Sequence, residues 1–213
     1  MTVAATTLHL SALELDPRDP LARRDLGSGY ELHRTLCRSL PPEICTDARL
    51  LFRVEPTAEP AAPARVLVQA RAEPDWSFLD ALPGHRLAGS KVFTPDLPAG
   101  RRLRFRLRAN PVVSKRDRPG STRGRRVGLV GEQAQVAWLT RKGEIGGFAV
   151  EAARARDEGY AASRRGGART THLSVLFEGV LVVTDPGAFS ATITDGVGPS
   201  KGFGFGLLSI APA

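Results

Sequence analysis

Cysteine and histidine are scarce in this chain of 213 residues. It contains 2 Cys, Cys37 and Cys45, and 4 His, which are scattered along the sequence. Neither an HExxH motif nor closely spaced pairs of cysteines occur, and these are the patterns of zinc sites and disulfide frameworks. The sequence therefore predicts no metal ion and no other cofactor.

Long apolar runs are also missing. No stretch of about 18 consecutive apolar residues is present, so we expect neither a membrane span nor a membrane partner. The first residues, MTVAATTLHLSALELDP, lack the positively charged start of a signal peptide and predict a β-strand. We expect a cytoplasmic protein of one large or two small domains, each able to bury a hydrophobic core.

Negative charge is scarce in the C-terminal part of the chain. Residues 1–85 contain 9 Lys or Arg and 12 Asp or Glu, a net charge of −3. Residues 86–213 contain 21 Lys or Arg and 10 Asp or Glu, a net charge of +11. This asymmetry favours a polyanionic partner such as a nucleic acid, held mainly by the C-terminal half. An ordinary solvated basic surface is the alternative.

The order of predicted elements is the same in both halves of the chain. Each half reads strand, helix, strand, strand, helix, strand, and the linker TPDLPAG at residues 94–100 separates them. Asp185 and Pro186 mark the start of the last helix. The order βαββαβ is the ferredoxin-like plan, which also underlies the RNA-recognition motif. We predict an α+β fold of two tandem ferredoxin-like (RRM-like) domains, residues 1–93 and 100–213.

The first predicted helix begins near Gly29 and ends near Ser39, before two prolines. Ser28 and Glu31 have the S-x-x-E spacing of a capping box, so Ser28 should cap the helix. The buried stripe should consist of three leucines spaced by four residues, Leu32, Leu36 and Leu40. Tyr30 and His33 lie on the neighbouring flank, near the helix N-terminus, where the dipole and free N–H groups attract phosphate.

The pair Tyr30 and His33 suits cleavage of RNA without a metal ion. The 2′-OH must lose a proton and the leaving 5′-oxygen must gain one, and an imidazole with a pKa of about 6.5 can serve in either role. A tyrosine hydroxyl can hydrogen-bond the 2′-OH or the phosphate. From spacing alone, a half-exposed histidine on a helix flank remains the more common reading.

Arginines dominate three segments of the second half. In RRLRFRLR, one strand face carries Arg102, Arg104, Arg106 and Arg108, and the other carries apolar residues. These four charges would repel one another unless water or RNA phosphates neutralise them. The segment SKRDRPGSTRGRR is expected to be a mobile loop that becomes ordered on binding. A hairpin tip, SRRGGAR, carries Arg164, Arg165 and Arg169 and can straddle a groove of duplex RNA.

The segment GVGPSKGFGFG is rich in glycine and includes Ser200 and Lys201. Its backbone N–H groups can approach phosphates closely. It lacks the G-x-x-x-x-G-K-[ST] pattern, so nucleotide hydrolysis is not indicated. A glycine-rich edge strand is an equally good reading of these residues.

Five stretches in this order resemble one protein family over nearly the whole chain. They are GYELHRTL, KVFTPDLPAGRRLRFRLRANPVV, WLTRKGEIGGF, HLSVLFEGVLVVTDPGAF and GVGPSKGFGFGLLSIAP. The family is CasE, the CRISPR repeat-processing endoribonuclease subunit of the type I-E Cascade complex. Its members have tandem ferredoxin-like domains, which agrees with the order of elements.

The resemblance implies metal-independent cleavage of precursor CRISPR RNA at the 3′ base of the repeat hairpin. The products would be a 2′,3′-cyclic phosphate and a 5′-OH, and the enzyme would stay with the crRNA and other Cascade subunits. It also implies that His33 and Tyr30 are catalytic. Arg38 corresponds less clearly to a third catalytic residue, and Ser200 and Lys201 would lie near the RNA backbone.

Two other functions compete with this prediction. A non-catalytic subunit that only binds an RNA hairpin would not need both Tyr30 and His33. A metal-dependent nuclease would need an acidic cluster, and none is evident in the basic half.

Overall fold

The structure is a computed structural model, and it describes residues 7–45, 50–57, 59, 61–115, 125–165 and 168–213. Within these ranges, the side chains of residues 44–45, 115, 163–165 and 168–169 are outside the description.

The first half of the chain forms a four-stranded antiparallel sheet. Its strands are β1 (Leu8–Leu15), β2 (Leu51–Val54), β3 (Ala64–Ala70) and β4 (His85–Phe93), in the spatial order β2-β3-β1-β4. Its helices are α1 (Pro20–Leu26), α2 (Gly29–Cys37) and α3 (Pro42–Cys45), and a 3₁₀ turn spans Ser77–Ala81. This strand order is that of the ferredoxin-like fold.

The second half forms an equivalent sheet with one added hairpin. Its strands are β5 (Arg102–Ala109), β8 (Phe148–Arg165), β9 (Ala168–Val183) and β10 (Leu208–Pro212), in the order β10-β5-β9-β8. The helices are α4 (Glu132–Gly146) and α5 (Pro186–Asp195). Strands β6 (Val112–Lys115) and β7 (Arg125–Gly128) pair outside this sheet. The two sheets confirm the predicted α+β class.

Each half buries its own apolar cluster. In the first, residues of β1, β2 and β3 pack against Leu32, Leu36 and Leu40, which confirms the predicted stripe. In the second, Leu103, Phe105 and Leu107 of β5 pack against α4 and α5. The alternation of these three residues with arginines therefore works as predicted: one face of β5 is core and the other is not.

Hydrogen bonds between side chains and backbone join the two halves. The guanidinium of Arg53 on β2 donates to the carbonyls of Arg106 and Leu207 at 2.9 and 3.1 Å. The amide of Gln69 on β3 donates to the Ile193 carbonyl at 2.8 Å. The two sheets are therefore held in a defined relation, on which the site below depends.

Helices α1 and α3 and the hairpin β6–β7 were not predicted from the sequence. Helix α1 is capped by Asp19, whose carboxylate accepts from the N–H groups of Leu21 and Ala22 at 2.9 Å. The Asp-Pro pair at positions 19–20 was the available signal. The hairpin β6–β7 contains the segment from Ser114 to Arg126, which was predicted as a mobile loop. Its described ends pair in register from Val112↔Gly128 to Lys115↔Arg125, so that expectation was wrong for the ends, while residues 116–124 lie outside the description.

Candidate active site

Helix α2 carries Tyr30 and His33 and begins as predicted. The Ser28 hydroxyl accepts from the Glu31 N–H at 3.4 Å, which is one half of the expected capping box. The N–H of Ser28 donates instead to the Asp25 carbonyl at 3.2 Å, so the second half is replaced by a bond to α1. Helix α2 ends at Cys37, with Arg38 as its C-cap.

His33 is half-buried against residues of its own domain. Its imidazole stacks on Phe52 of β2, with ring centroids 6.1 Å apart and an interplanar angle of 16°. The Cys37 sulfur, one turn further along α2, lies 3.6 Å from Nε2. Burial lowers the pKa of His33 below its usual value of 6.5, so the imidazole is neutral at neutral pH. A neutral imidazole can accept a proton.

The glycine-rich loop, residues 198–206, crosses helix α2 at this position. Its 3₁₀ turn, Lys201–Phe203, passes beside the imidazole. A Cβ placed on Gly202 would lie 3.6 Å from His33 Cδ2. A Cβ on Gly29 would lie only 2.5 Å from the Phe203 carbonyl oxygen, so this helix position has room for glycine alone. The rings of Tyr30 and Phe203 are 6.4 Å apart. The structure thus brings Tyr30, His33 and the loop together.

Several N–H groups of the glycine-rich loop bond within the protein. Phe203 donates to the Ser200 carbonyl at 2.9 Å, Gly204 to Lys201 at 3.2 Å and Gly206 to Arg108 at 2.8 Å. The first two bonds hold the loop's own shape, and the third ties the loop to β5. Ser200 and Lys201 lie at the start of the 3₁₀ turn, and contact between either residue and RNA stays a prediction.

Arg38 lies apart from this crossing. Its guanidinium carbon is 4.5 Å from the centroid of the Phe78 ring, a cation–π contact within the first domain. The suggestion that Arg38 takes part in catalysis stays a prediction.

Glutamates pair with three of the four arginines on β5. Arg102 binds Glu151 at 2.6 Å, and this bond raises the pKa of the guanidinium. Arg108 binds Glu158 at 2.7 Å.

Arg106 and Arg104 line a cleft of about 700 Å³ between the two sheets. Arg106 lies between Glu178, at 2.6 Å, and Glu55 of the first domain, at 2.7 Å. Arg104 donates to the Pro212 carbonyl at 3.0 Å. From the sequence, only water or RNA phosphates were considered as the neutralising groups, whereas protein carboxylates pair with three of the four arginines.

Arg108 is the β5 arginine nearest to helix α2. Together with Gly29, Phe203 and Tyr160 it lines a second cavity, of about 340 Å³, beside the helix N-terminus. It also donates to the Val54 carbonyl of β2. RNA contacts by Arg102, Arg104, Arg106 and Arg108 stay predictions, and the position of Arg108 makes it the best supported of the four.

The arginine-rich tip predicted at residues 163–169 is a hairpin. Strands β8 and β9 stay paired through Arg164↔Arg169 and Arg165↔Ala168, well beyond Val175, where the pairing of β9 with β5 ends. The side chains of these three arginines lie outside the description, and so do residues 166–167. Their predicted RNA contacts are not tested.

Three groups near the site were not singled out from the sequence. Phe52 stacks on His33, and His172 and Asn110 bond to the Ser200 hydroxyl. A buried pair also supports α1 and α2: His85 Nε2 lies 3.1 Å from the Asp25 carboxylate. Burial opposes ionisation of Asp25, but hydrogen bonds from neighbouring side chains, His85 first among them, outweigh it and lower its pKa. All these contacts join distant parts of the sequence.

Among the described residues, no helix is both long and apolar enough to cross a membrane. In the same part of the chain, no group of three or more His, Cys, Asp or Glu residues is arranged so that it could hold a metal ion.

Comparison with known proteins shows which proteins this chain resembles. A family model described as "CRISPR associated protein" matches residues 8–212. The chain is 41% identical to the CRISPR-associated endoribonuclease Cse3 of Thermus thermophilus, over 96% of this chain and 100% of the relative. It is 33% identical to the CRISPR system Cascade subunit CasE of Escherichia coli, over 89% of this chain and 93% of the relative.

A solved structure of Thermus thermophilus Cse3, bound to an RNA that represents a pre-cleavage complex, has the same fold. It superposes with a TM-score of 0.83 at 42% identity and covers 97% of this chain and 100% of that one.

Proposed function

The chain belongs to the CRISPR-associated protein family that includes Cse3 and CasE, and we propose that it is an endoribonuclease of CRISPR RNA. It cleaves precursor CRISPR RNA within each repeat, at the 3′ base of the repeat hairpin. The relatives' names, an endoribonuclease and a Cascade subunit, support this activity and a partnership with crRNA and other Cascade subunits. The cytoplasm is the proposed site of action.

The observation that carries the proposal is the crossing of helix α2 by the glycine-rich loop. A neutral, half-buried imidazole lies one turn from Tyr30, and the loop that covers both comes from the basic half of the chain. Acid–base groups and a polyanion-binding surface thereby meet at one place. A neutral imidazole at this crossing can accept a proton, which RNA binding alone does not require.

For catalysis, the proposed reaction needs groups that accept and donate protons. The 2′-oxygen attacks the adjacent phosphorus while its proton passes to a base, and the bond from phosphorus to the 5′-oxygen breaks. A proton reaches the leaving oxygen, so the products are a 2′,3′-cyclic phosphate and a 5′-OH. His33 transfers one of these protons. The Tyr30 hydroxyl hydrogen-bonds the 2′-OH or a phosphate oxygen, and Arg38 is a further candidate for charge stabilisation.

The arginines of the second half hold the RNA. We assign the stem to the β8–β9 hairpin, with Arg164, Arg165 and Arg169, and the RNA near the cut to Arg108 and Lys201. These residues lie on the half of the chain with a net charge of +11. The carboxylates that pair with β5 arginines must be displaced, or share their arginine, when phosphate binds.

The test is cleavage of a repeat hairpin RNA in EDTA, followed by analysis of the product ends. We expect a cyclic phosphate and a 5′-OH, and no cleavage of an analogue with 2′-deoxyribose before the cut. His33→Ala should lower the rate by about 10²- to 10⁴-fold and leave binding nearly unchanged.

The matched control is His9→Ala, which removes a histidine of β1. This variant should cleave normally. The catalytic assignment fails if His33→Ala keeps more than about a tenth of the wild-type rate, since loss of an acid–base group costs at least ~100-fold. Cleavage of the 2′-deoxy analogue would exclude attack by the 2′-oxygen.

A further inference from the structure

Three polar side chains bind one another behind the glycine-rich loop. Asn110 follows β5, His172 lies on β9 and Ser200 lies in the loop. The Asn110 amide nitrogen lies 3.1 Å from the Ser200 hydroxyl, which lies 3.0 Å from His172 Nδ1. We call these three residues the loop anchor. Asn110 is only 6% exposed, so the anchor is closed to solvent on that side.

The hydrogen bonds of the loop anchor meet at the Ser200 hydroxyl. The Asn110 amide donates to the Ser200 oxygen, and the same hydroxyl shares a second hydrogen bond with His172 Nδ1. Burial lowers the pKa of His172 below 6.5, which favours the neutral imidazole. The Ser200 hydroxyl is thus used twice within the protein.

Ser200 needs these bonds because its backbone is strained. Its φ of 68° lies in the left-handed region, which among the described residues is otherwise occupied only by glycine. A side chain in this conformation costs energy and persists only where surrounding contacts hold it. Glycine would avoid the strain, so a serine here indicates that its hydroxyl is required.

The loop anchor is coupled to helix α2 through the turn that follows Ser200. The His172 ring packs on Phe203, with centroids 4.5 Å apart. The Phe203 backbone lies against Gly29, and Gly202 lies beside the His33 imidazole. Movement of the anchor would therefore move the turn away from the two residues that we assign to proton transfer and hydrogen bonding.

We propose that Asn110, Ser200 and His172 form a positioning site, which holds the glycine-rich loop against helix α2 and so orients His33 for cleavage. This inference rests on the proposed function in one respect: it takes His33 to be the residue that transfers a proton. Its residues touch neither the reacting phosphate nor the 2′-oxygen. The Ser200 hydroxyl serves the loop and not the RNA.

The test uses pairs of variants that separate the hydrogen bonds from packing and backbone strain. His172→Phe keeps a ring against Phe203 but removes the hydrogen-bonding nitrogen, whereas His172→Asn keeps a group near the position of Nδ1 that can form a hydrogen bond. Ser200→Ala removes the hydroxyl but keeps the strain, whereas Ser200→Gly removes both.

Cleavage at saturating RNA should fall about 10- to 100-fold in His172→Phe and Ser200→Ala, the size expected for small misplacements of reacting groups. The loss should be smaller in His172→Asn and Ser200→Gly. RNA affinity should change less than twofold in all four variants. The double variant Ser200→Ala/His172→Phe should be no slower than the slower single variant, because the bonds act as one chain.

A second measurement does not depend on nuclease activity. In the free protein, NMR titration of His33 should give a pKa below 6.5, and this pKa should rise towards 6.5 in Ser200→Ala and His172→Phe, as the turn uncovers the ring. The positioning site is overturned if the His33 titration or the cleavage rate stays at the wild-type value. It is equally overturned if RNA affinity falls in parallel with the rate, since Ser200 would then bind RNA. An active His33→Ala variant would refute the proposed function while the NMR titration still tested the anchor.

Discussion

The substitution Arg53→Met removes a buried guanidinium that ties the two halves together. Arg53 is 2% exposed and binds Glu55, which follows its own strand, at 2.6 Å. Across the boundary it donates to two carbonyls, those of Arg106 and Leu207, and to the Ser209 hydroxyl at 2.9 Å. Methionine fills much of the same volume but offers no donor, so it isolates the loss of these bonds.

The expected loss in the free energy of unfolding depends on the buried groups that lose Arg53 as their partner. Removing one member of a buried ion pair typically costs about 3–5 kcal/mol. The value for Arg53 should lie near the lower end, about 3 kcal/mol, because Glu55 keeps a second partner in Arg106. For a protein of this size, that loss corresponds to a fall in Tm of roughly 6–12 °C.

The free energy of unfolding would be measured by urea denaturation, with thermal unfolding as a check. Arg71→Met is the matched control, because the bond between Arg71 and Asp195 also joins the two halves, at 2.6 Å. Those side chains are 46% and 43% exposed, so the control should cost at most about 1 kcal/mol. If both variants lost the same free energy of unfolding, burial would not explain the contribution of Arg53 to stability.

Three further predictions concern activity. Arg164→Ala/Arg165→Ala should lower the slope of log affinity against log salt by roughly one to two units without changing the rate at saturating RNA; a wild-type slope would remove the hairpin from the RNA site. Gly29→Ala should displace the loop and slow cleavage, because its Cβ would lie 2.5 Å from a loop carbonyl oxygen, whereas Gly89→Ala, with no atom within 4 Å of its Cβ, should cleave normally. The pH profile of kcat/KM should show a limb below pH 6.5 that is lost in His33→Ala, since burial lowers the pKa of His33; a midpoint above 6.5 would contradict this.

Local patterns were sufficient to predict helix α2 and its flank. The Ser28 cap, the leucine stripe and the position of His33 beside it all depend on residues within about one turn of each other, and the structure has them as predicted. The strand order also followed, because the ferredoxin-like plan is set by the succession of elements.

These local patterns could not predict the contacts between the two halves. The bond between Arg106 and Glu55 joins residues 51 positions apart, and Gly202 and His33 are separated by most of the chain. Neither has a periodic signal in the sequence. The same limit explains why His172 was not singled out: its importance comes from Ser200, which is 28 residues away.

The catalytic histidine and the RNA-binding arginines lie on different halves of the chain, and this affects the protonation of His33 at neutral pH. His33 belongs to the half with a net charge of −3, and burial is the cause of its lowered pKa. In the free protein it is therefore neutral and ready to accept a proton. A bound RNA phosphate would place negative charge beside the imidazole, and a nearby opposite charge favours the protonated form. The proton taken from the 2′-OH would then be held more firmly than in the free protein. The limb that His33 contributes to kcat, which reports the bound state, should lie at higher pH than its limb in kcat/KM. Coincident limbs would mean that no phosphate approaches His33.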